Sequence, residues 1–243
     1  MKLISYNLHF GGKANDGNAW QRLIGDFSPD LILAQESFHP NDYLLQKQHV
    51  RSDRCVWSRV TDRKWGSVIY SRADSLERVD LPEFEGWVAG AMIRNAQIGG
   101  DRQDLLAFNI HAPSPGPYEP TVNRILDAIA KRRDGTPLIL AGDFNITTAR
   151  RHPAEELKNT KGEIRLLDRL RNEFGLHNAS QALHPDAALP QTLRWTKNPQ
   201  MPYHCDAVFV SGSHLAHLET ATVERTGLWS SMSDHFPVVV TLR

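Results

Sequence analysis

The chain has 243 residues, of which 40% are hydrophobic and 23% are charged, a composition that excludes intrinsic disorder. Lysine and arginine together number 28, as do aspartate and glutamate, which excludes a global field that would draw the protein to nucleic acid or to an anionic membrane. A local basic patch is compatible with this neutral balance. Since no internal repeat and no linker rich in proline, glycine or serine interrupts the sequence, we expect a single domain over residues 1–243.

The two cysteines, Cys55 and Cys205, are too few and too far apart for a disulfide framework or a zinc site. We expect buried or half-buried thiols, with a single disulfide as the alternative. The N-terminus has no hydrophobic segment of signal-peptide length, and no segment approaches the roughly 18 apolar residues of a membrane span. We therefore expect a cytoplasmic protein with no membrane span and no obligate protein partner.

Three predicted elements follow one another at the start of the chain. Leu3–Asn7 predicts a strand, and Gly11 and Gly12 mark a loop after it. Asp16–Phe27 predicts a helix with Asp16 as its N-cap, because apolar side chains recur there at helical spacing. Asp30–Glu36 predicts a short strand, buried on both faces, that ends in a carboxylate.

The middle of the chain changes to short strands joined by short polar or glycine-containing connections, a pattern typical of antiparallel pairing. The last of them ends in His111, just before a proline break. The predicted strands are Arg54–Arg59, Gly66–Arg72, Trp87–Arg94 and Gln103–His111.

The second half alternates helices with strands. An apolar strand that begins at Leu138 is cut off by Gly142, and Asp143 and Asn145 follow it. Residues two apart in an extended backbone share a face, so these two side chains would stand side by side; an ordinary turn is the alternative. The other predicted elements are the helices Pro117–Arg133 and Glu163–Phe174 and the strands Asp206–Val210 and Phe236–Leu242.

Polar residues recur at the edges of these strands. Each alone has an ordinary structural explanation: a turn residue, a solvated strand end, a cap, or a partly buried histidine bonded to backbone. Their recurrence favours a common site, because strand ends converge on one rim of a sheet. The candidates are Asn7, Glu36, His111, Asp143, Asn145, Asp206, Asp234 and His235.

The residue types in this set fit phosphate chemistry. Carboxylate and amide oxygens with no cysteine nearby suit a hard cation, Mg²⁺ or Mn²⁺, better than zinc. A metal held in this way polarises phosphoryl oxygens, and an aspartate that keeps an imidazole charged creates a donor to a phosphoryl oxygen. The set therefore predicts metal-assisted phosphoester hydrolysis.

With these residues in view, the sequence resembles the endonuclease/exonuclease/phosphatase superfamily. That superfamily includes DNases of the pancreatic type, abasic-site endonucleases, deadenylases, neutral sphingomyelinases and inositol-polyphosphate 5-phosphatases. The matching segments occur in the family's order and span nearly the whole chain. They are Ser5-Tyr6-Asn7, Leu33-Ala34-Gln35-Glu36, Asn109-Ile110-His111, Gly142-Asp143-Phe144-Asn145, Asp206-Ala207-Val208-Phe209-Val210 and Ser233-Asp234-His235-Phe236-Pro237-Val238.

The resemblance implies a four-layered α/β sandwich, with two mixed sheets packed face to face, helices on the outside and an active site at one rim. It also implies a metal centre. Glu36 would be the principal ligand with Asn7 alongside, and Asp234 would bind the metal or lie near it.

The resemblance further implies the catalytic roles. Asp143 would be the base or the orienter of the attacking water, and Asn145 would place that water. His235, supported by Asp206, would contact the scissile phosphate, with His111 on its other side. Either Asp143 or His235 could remove the proton of the water, and we favour Asp143.

The sequence departs from the abasic-site endonucleases at several positions. Those enzymes are similar in carrying Tyr-x-Pro-Asn where this chain has His111-Ala112-Pro113-Ser114, and an acidic residue where His9 stands. A lysine-containing loop usually follows their metal glutamate, and here the segment is Ser37-Phe38-His39-Pro40. These departures place abasic-site repair in doubt, and His111 looks more like the DNase, sphingomyelinase and deadenylase branches.

Four further residues are candidate substrate contacts. His9 is a solvated loop residue or a phosphate contact. Arg150 and Arg151 form a local cationic lip for a polyanion or a solvated turn. Trp195 either provides a stacking platform for a base or packs in the core or at its rim. We favour packing.

The predicted function is hydrolysis of DNA or RNA phosphodiester bonds by a divalent-metal-dependent nuclease, through in-line attack of an activated water. The alternative is the same chemistry on a lipid or inositol-phosphate head group, which the neutral net charge favours. A catalytically silent binding module is a third hypothesis. The presence of every expected polar position argues against it.

Overall fold

The computed structural model describes residues 1–11, 19–114 and 116–243, so the predictions for Gly12 and for the N-cap Asp16 lie outside the described residues. The strands are β1 (Lys2–Asn7), β2 (Leu31–Ser37), β3 (Cys55–Arg59), β4 (Gly66–Ser71), β5 (Leu76–Arg78), β6 (Val88–Ile98), β7 (Asp101–His111), β8 (Leu138–Asp143), β9 (Leu176–Asn178), β10 (Asp206–Ser211), β11 (Leu218–Val223) and β12 (Val238–Leu242). The helices are α1 (Ala19–Phe27), α2 (Tyr118–Ala130), α3 (Lys161–Asn172), α4 (Ala179–Leu183) and α5 (Trp229–Met232).

The strands form two mixed six-stranded sheets, in the orders β11-β12-β1-β2-β4-β3 and β5-β6-β7-β8-β10-β9. β1 is parallel to β2 and β7 is parallel to β8. One apolar core, which includes Leu33 and Ile139, lies between the sheets. A second core packs α1 on the first sheet through Trp20, and a third packs α2 and α3 on the second sheet through Ile125 and Leu166. The predicted four-layered sandwich is confirmed.

The predicted middle strands exist, but they are divided between the two sheets. β3 pairs antiparallel with β4 in the first sheet, and β6 pairs antiparallel with β7 in the second. The short elements β5, β9, β11, α4 and α5 were not predicted, because segments of three to six residues carry little periodicity. The final strand begins at Val238 rather than Phe236, whose N–H instead bonds the Thr192 carbonyl.

No helix among the described residues is long and apolar enough to cross a membrane.

The alternation of side chains along each strand brings polar residues between the sheets. In β1, Leu3 belongs to the inter-sheet core and Tyr6 to the core under α1, so Asn7 follows Leu3 onto the inter-sheet face. In β8, Asp143 follows Ile139 in the same way. The same parity places Asn109, His111 and Asp206 between the sheets.

Gly142 allows β8 to pass close to β7. Its φ is +138°, and a Cβ at this position would lie 1.8 Å from the carbonyl oxygen of Ile110. The glycine therefore lies inside the strand, which continues to Asp143, and it is not the turn that the sequence offered as the alternative.

Asn109 joins the two sheets from the middle of the dry inter-sheet space. Its Nδ2 donates to the carbonyls of Ala34 (2.7 Å) and Val68 (2.8 Å), and its Oδ1 accepts from Nε2 of Gln35 (2.6 Å). Asn109 and Gln35 are fully buried. This polar bridge is the link between β7 and the pair formed by β2 and β4.

We expect Gly142→Ala to lower the free energy of unfolding by at least about 3 kcal/mol, because the new methyl group collides with backbone rather than with a movable side chain. Gly25→Ala in α1 is the matched control. Nothing lies within 4 Å of a Cβ there, so this change should stabilise the protein by up to about 1 kcal/mol. Urea unfolding measures both; equal effects would contradict the prediction.

We expect Asn109→Leu to destabilise the protein by about 3 kcal/mol or more, because it removes three buried hydrogen bonds, two to the Ala34 and Val68 carbonyls and one from the Gln35 amide. Gln97→Leu, an amide-to-leucine change on the exposed face of β6, is the control and should change stability by less than about 0.5 kcal/mol. Thermal or urea unfolding compares them. A stable Asn109→Leu variant would show that the bridge contributes little.

Candidate active site

A cleft of about 910 Å³ opens at the rim where β2, β7 and β8 end and β10 begins. Most of the predicted site residues line it. Asn7 and Asp206 lie directly behind the lining, where they contact Glu36 and His235. The predicted residues that line the cleft are His9, Glu36, His111, Asp143, Asn145, Arg151, Trp195, Asp234 and His235.

A bulge in β2 directs Glu36 into this cleft. Pairing with β4 is regular as far as Ala34 and resumes, shifted, at Ser37. Glu36 has a φ of +50°, a conformation that non-glycine residues seldom adopt. Regular alternation would have sent Glu36 to the face under α1, together with Ile32 and Ala34. The bulge therefore re-aims the carboxylate.

The contacts of the Glu36 carboxylate are to neutral groups. Its Oε2 accepts from the Phe10 N–H (2.8 Å), and its Oε1 lies 3.3 Å from Nδ2 of Asn7 and 3.6 Å from Nε2 of His111. Burial lowers the pKa of His111 to about 4, so this imidazole is neutral at neutral pH. Within residues 1–11, 19–114 and 116–243, no lysine or arginine forms an ion pair with Glu36. A nearly buried carboxylate in this setting fits a cation.

Asn7 holds two carboxylates next to one another. Its Nδ2 donates to Glu36 and to Oδ2 of Asp143 (3.1 Å), while its Oδ1 accepts from the His9 N–H (2.9 Å). In this orientation the amide presents a donor to the carboxylates, and metal ligation through Oδ1 would require the amide to turn. Oxygen donors from Glu36, Asp143 and Asp234 suit a hard cation.

The imidazole of His235 is clamped by two aspartates. Its Nδ1 lies 2.9 and 3.0 Å from the two carboxylate oxygens of Asp206, and its Nε2 lies 3.7 Å from Oδ2 of Asp143. Burial lowers the pKa of His235, but the negative charges of Asp206 and Asp143 outweigh burial and raise it to about 10. His235 is therefore an imidazolium at neutral pH, with its Nε2–H directed towards Asp143.

The sequence predicted that Asp143 and Asn145 share one face of an extended strand. In the structure they do not. β8 ends at Asp143, and Asn145 has a φ of +53°. The N–H of Asn145 bonds Oδ1 of Asp143 (2.9 Å), while its Nδ2 donates to the Ala112 carbonyl (3.0 Å). Burial raises the pKa of Asp143, which gives this carboxyl group more affinity for a proton than an exposed aspartate has. The turn fixes the pair through hydrogen bonds rather than through strand alternation.

The expectation that no cysteine lies near the site is wrong. Asp143, Cys205, Asp206 and His235 form a buried group whose ligand atoms all lie within 4.8 Å of one another. In this group Nδ1 of His235 is already bonded to both carboxylate oxygens of Asp206, so that ring nitrogen is not free to bind a cation. The described Cys55 and Cys205 are both free thiols, half-buried and buried.

His9 forms an ion pair with Asp234 rather than extending into solvent. Nδ1 of His9 lies 2.8 Å from Oδ1 of Asp234, and this hydrogen bond raises the pKa of His9. Burial raises the pKa of Asp234, but His9 and His235 outweigh it and hold that pKa below its usual range. The partner of Asp234 in this structure is thus an imidazole at the edge of the cleft.

Comparison with known proteins agrees with the geometry. A family model described as "Endonuclease/Exonuclease/phosphatase family" matches residues 4–235. The chain belongs to the endonuclease/exonuclease/phosphatase family. No curated protein sequence matches it.

Solved structures with the same fold differ widely from this family member in sequence. An AP endonuclease from Archaeoglobus fulgidus has a TM-score of 0.69 at 16% identity, covering 100% of this chain and 99% of its own. The endonuclease domain of TRAS1, a telomere-specific non-LTR retrotransposon, has a TM-score of 0.70 at 17% identity, covering 100% and 97%. A 3′ phosphatase, NExo, from Neisseria bound to product DNA hairpin has a TM-score of 0.67 at 16% identity, covering 100% and 99%. At these identities the likeness shows the fold.

Arg150 and Arg151, for which the sequence offered a cationic lip or a solvated turn, are each paired with an acidic residue. Arg150 lies outside the cleft and pairs with Asp168 (2.5 Å), which neutralises it. Nη1 of Arg151 pairs with Glu155 (2.9 Å) and its side chain is only 3% exposed. Sequence proximity to Asn145 was misleading, because acidic residues elsewhere in the chain meet both guanidinium groups.

Trp195 is not a core residue. It is 41% exposed at the mouth of the cleft, where its ring meets the edge of Tyr203 and lies 5.5 Å from the Lys197 ammonium. This exposure excludes burial in the core, and both packing at the rim, which the sequence favoured, and stacking agree with it.

Sequence reasoning missed several residues of the site. Oγ1 of Thr192, fully buried, accepts from the backbone N–H groups of Cys205 and Asp206 and so positions the start of β10. The aromatic rings of Phe10, Trp65 and Trp87 line one wall of the cleft. No spacing in the sequence connects these segments, and only the exposed Phe10 beside Asn7 offered a signal.

The raised pKa of His235 makes the stability of its ion pair depend on pH. That contribution is complete below the unfolded pKa near 6.5 and is lost as pH rises towards about 10. The difference in unfolding free energy between wild type and His235→Gln should therefore shrink from pH 7 to 10, by up to about 1.4 kcal/mol per pH unit. Urea unfolding without added metal measures it.

His111→Gln is the control for this titration. The pKa of His111 is lowered to about 4, so the ring is neutral in both the folded and the unfolded chain through most of this range. Its stability difference from wild type should stay constant between pH 7.5 and 10. A His235 difference that is equally flat would contradict the assignment of an imidazolium.

Proposed function

We propose that this protein is a divalent-metal-dependent phosphodiesterase. Within that class, we propose a nuclease that hydrolyses DNA or RNA by in-line attack of an activated water. The observation that carries the proposal is the geometry of one cleft, in which the His235 ring lies between Asp206 and Asp143 while Glu36 lies on the opposite side of Asn7. A positive donor next to a base, facing a carboxylate without a cationic partner, is the arrangement that phosphoryl transfer requires.

The proposed metal is Mg²⁺ or Mn²⁺, held by Glu36 with Asp234 and, once its amide turns to present Oδ1, by Asn7. When bound, it would polarise a phosphoryl oxygen and neutralise charge on the leaving oxygen. The family to which the chain belongs and the oxygen-rich donor set both support this proposal.

The protein side chains have separate tasks in the proposed reaction. Asp143, whose raised pKa favours proton uptake, takes the proton of the attacking water, and Asn145 orients that water. His235, kept charged by Asp206, donates from Nε2 to a phosphoryl oxygen. His111, which is neutral, contacts the phosphate from the other side.

The proposed working unit is one domain that comprises the whole chain. The family match over residues 4–235 and the single core shared by the two sheets support it. The nucleic acid substrate is a proposal on the same basis: the solved relatives named above include DNA-cleaving and DNA-bound proteins, and their sequence identity to this chain is low.

The second candidate is a lipid or inositol-phosphate head group as substrate. The net charge of zero and the pairing of Arg150 and Arg151 with acidic residues favour a zwitterionic lipid head group within this class, because a polyanion normally requires free cations. The same catalytic groups would serve either substrate.

We expect Asp143→Asn and His235→Ala each to lower phosphodiesterase activity by about 100-fold or more. Asp168→Asn, which changes an exposed carboxylate on α3, is the matched control and should stay within about twofold. The assay is a Mg²⁺/Mn²⁺ panel of plasmid DNA, single-stranded DNA, RNA, sphingomyelin and bis(p-nitrophenyl) phosphate. EDTA should abolish the activity and added metal should restore it.

Two outcomes would contradict this proposal. Activity that persists undiminished after exhaustive EDTA treatment would remove the metal from the mechanism. Variants of Asp143 and His235 within about tenfold of wild type would show that the catalytic groups lie elsewhere. Cleavage of sphingomyelin without cleavage of any nucleic acid would replace the nuclease by the second candidate.

A further inference from the structure

Phe10 is an exposed aromatic residue held rigidly at the edge of the cleft. Its side chain is 59% exposed, and its backbone φ of +55° is rare for a bulky residue. Three backbone hydrogen bonds attach its loop to the end of β2: Leu8 N–H to Gln35 O, Phe10 N–H to Glu36 Oε2, and Gly11 N–H to Glu36 O. An apolar ring held in a strained conformation beside the Glu36 carboxylate indicates a function rather than packing.

Phe10 is the outer end of a continuous aromatic wall. Its ring centroid lies 6.2 Å from that of Trp65, and Trp65 lies 5.6 Å from Trp87 and 5.7 Å from His111. Trp65 is only 8% exposed, so it supports Phe10 from behind and leaves the ring of Phe10 accessible. The wall therefore leads from the proposed phosphate contact His111 outwards to the exposed ring of Phe10, whose other ring neighbour is His9 at a centroid distance of 4.7 Å.

Two of the basic side chains that line the cleft are engaged by other groups of the protein. Arg151 is paired with Glu155, and Nζ of Lys158 donates to the carbonyls of Pro153 and Glu155. Arg63 is exposed. Arg63 and His235 leave few cations for phosphate contacts, of which a protein that binds duplex nucleic acid usually makes several, so we expect a further interaction to contribute to affinity here. Stacking on aromatic rings is the interaction that the cleft offers.

We propose that Phe10, supported by Trp65, is a stacking platform for an unpaired nucleobase next to the scissile phosphate, and that the substrate is therefore single-stranded nucleic acid. In a duplex both faces of a base are covered by its neighbours, so a base reaches Phe10 only from a single strand or a frayed end. The wall consists of ring systems rather than aliphatic chains, which favours a planar base over a lipid tail. This inference rests on the proposed nuclease function.

The test compares variants of Phe10 on matched substrates with Mg²⁺. We expect wild type to cleave a single-stranded oligonucleotide, DNA or RNA, at least about tenfold faster than its duplex. Phe10→Ala should lower kcat/KM on the single strand by about 5- to 100-fold, mainly through KM, while Phe10→Tyr stays within about twofold. On an oligonucleotide with a base-free tetrahydrofuran residue beside the cleaved bond, Phe10→Ala and wild type should cleave equally well.

Leu45→Ala is the matched control, because Leu45 is equally exposed at 57% but does not line the cleft. It should leave every rate unchanged. Equal melting temperatures of Phe10→Ala and wild type would exclude a folding defect, and Phe10→Leu separates stacking from simple apolar contact. A preference for duplex, an unaffected Phe10→Ala, or an equal loss on the base-free substrate would overturn the inference while leaving the nuclease proposal intact.

The failure of the proposed function itself has a different signature. Wild type would then cleave neither nucleic acid nor bis(p-nitrophenyl) phosphate in the presence of metal, which would overturn both proposals. Hydrolysis of sphingomyelin vesicles alone, with loss in Phe10→Ala, would assign the aromatic wall to a lipid and overturn the nucleobase assignment.

Discussion

The hydrogen bonds from the Asn109 carboxamide to the Ala34 and Val68 carbonyls are the constraint on which the site depends. These carbonyls belong to β2 and β4 at the last regular pair before the bulge. The bulge directs Glu36 towards the cleft instead of the face under α1. A residue of the second sheet thus fixes the backbone irregularity of the first, which couples the packing of the sheets to the geometry of the carboxylate.

The rim has two electrostatic halves joined by Asn7 and Asp143. On one side, Asp206 and Asp143 keep His235 charged in a buried setting. On the other side, Glu36 meets neutral groups, and the nearby His111 is neutral because burial dominates its pKa. Burial lowers the pKa of both histidines, and only for His235 is it outweighed, because only His235 has a carboxylate within hydrogen-bond distance.

The walls of the cleft explain how one fold can serve different substrates. The chain shares its fold with proteins at 16–17% identity over the full chain. Polar residues at the strand ends belong to the rigid sheets, whereas Phe10, Trp65 and Trp195 lie in the connections between elements. Loops tolerate change because few buried contacts depend on them, so the side chains of the cleft wall can differ between proteins while the sheets keep the same fold.

The sequence by itself determined the layered fold and the residues at the rim. Strand alternation places Asn7, Asp143 and Asp206 between the sheets, because successive side chains take opposite faces wherever the backbone is regular. Tertiary structure decided three features that a regular strand pattern does not encode. They are the bulge at Glu36, the left-handed turn at Asn145 and the pairing of charged side chains with one another. Arg150 and Arg151 read as free cations in the sequence, and they are neutralised because Asp168 and Glu155 meet them only once the chain has folded. Local pattern specifies the faces, whereas pairing across the chain specifies the electrostatics.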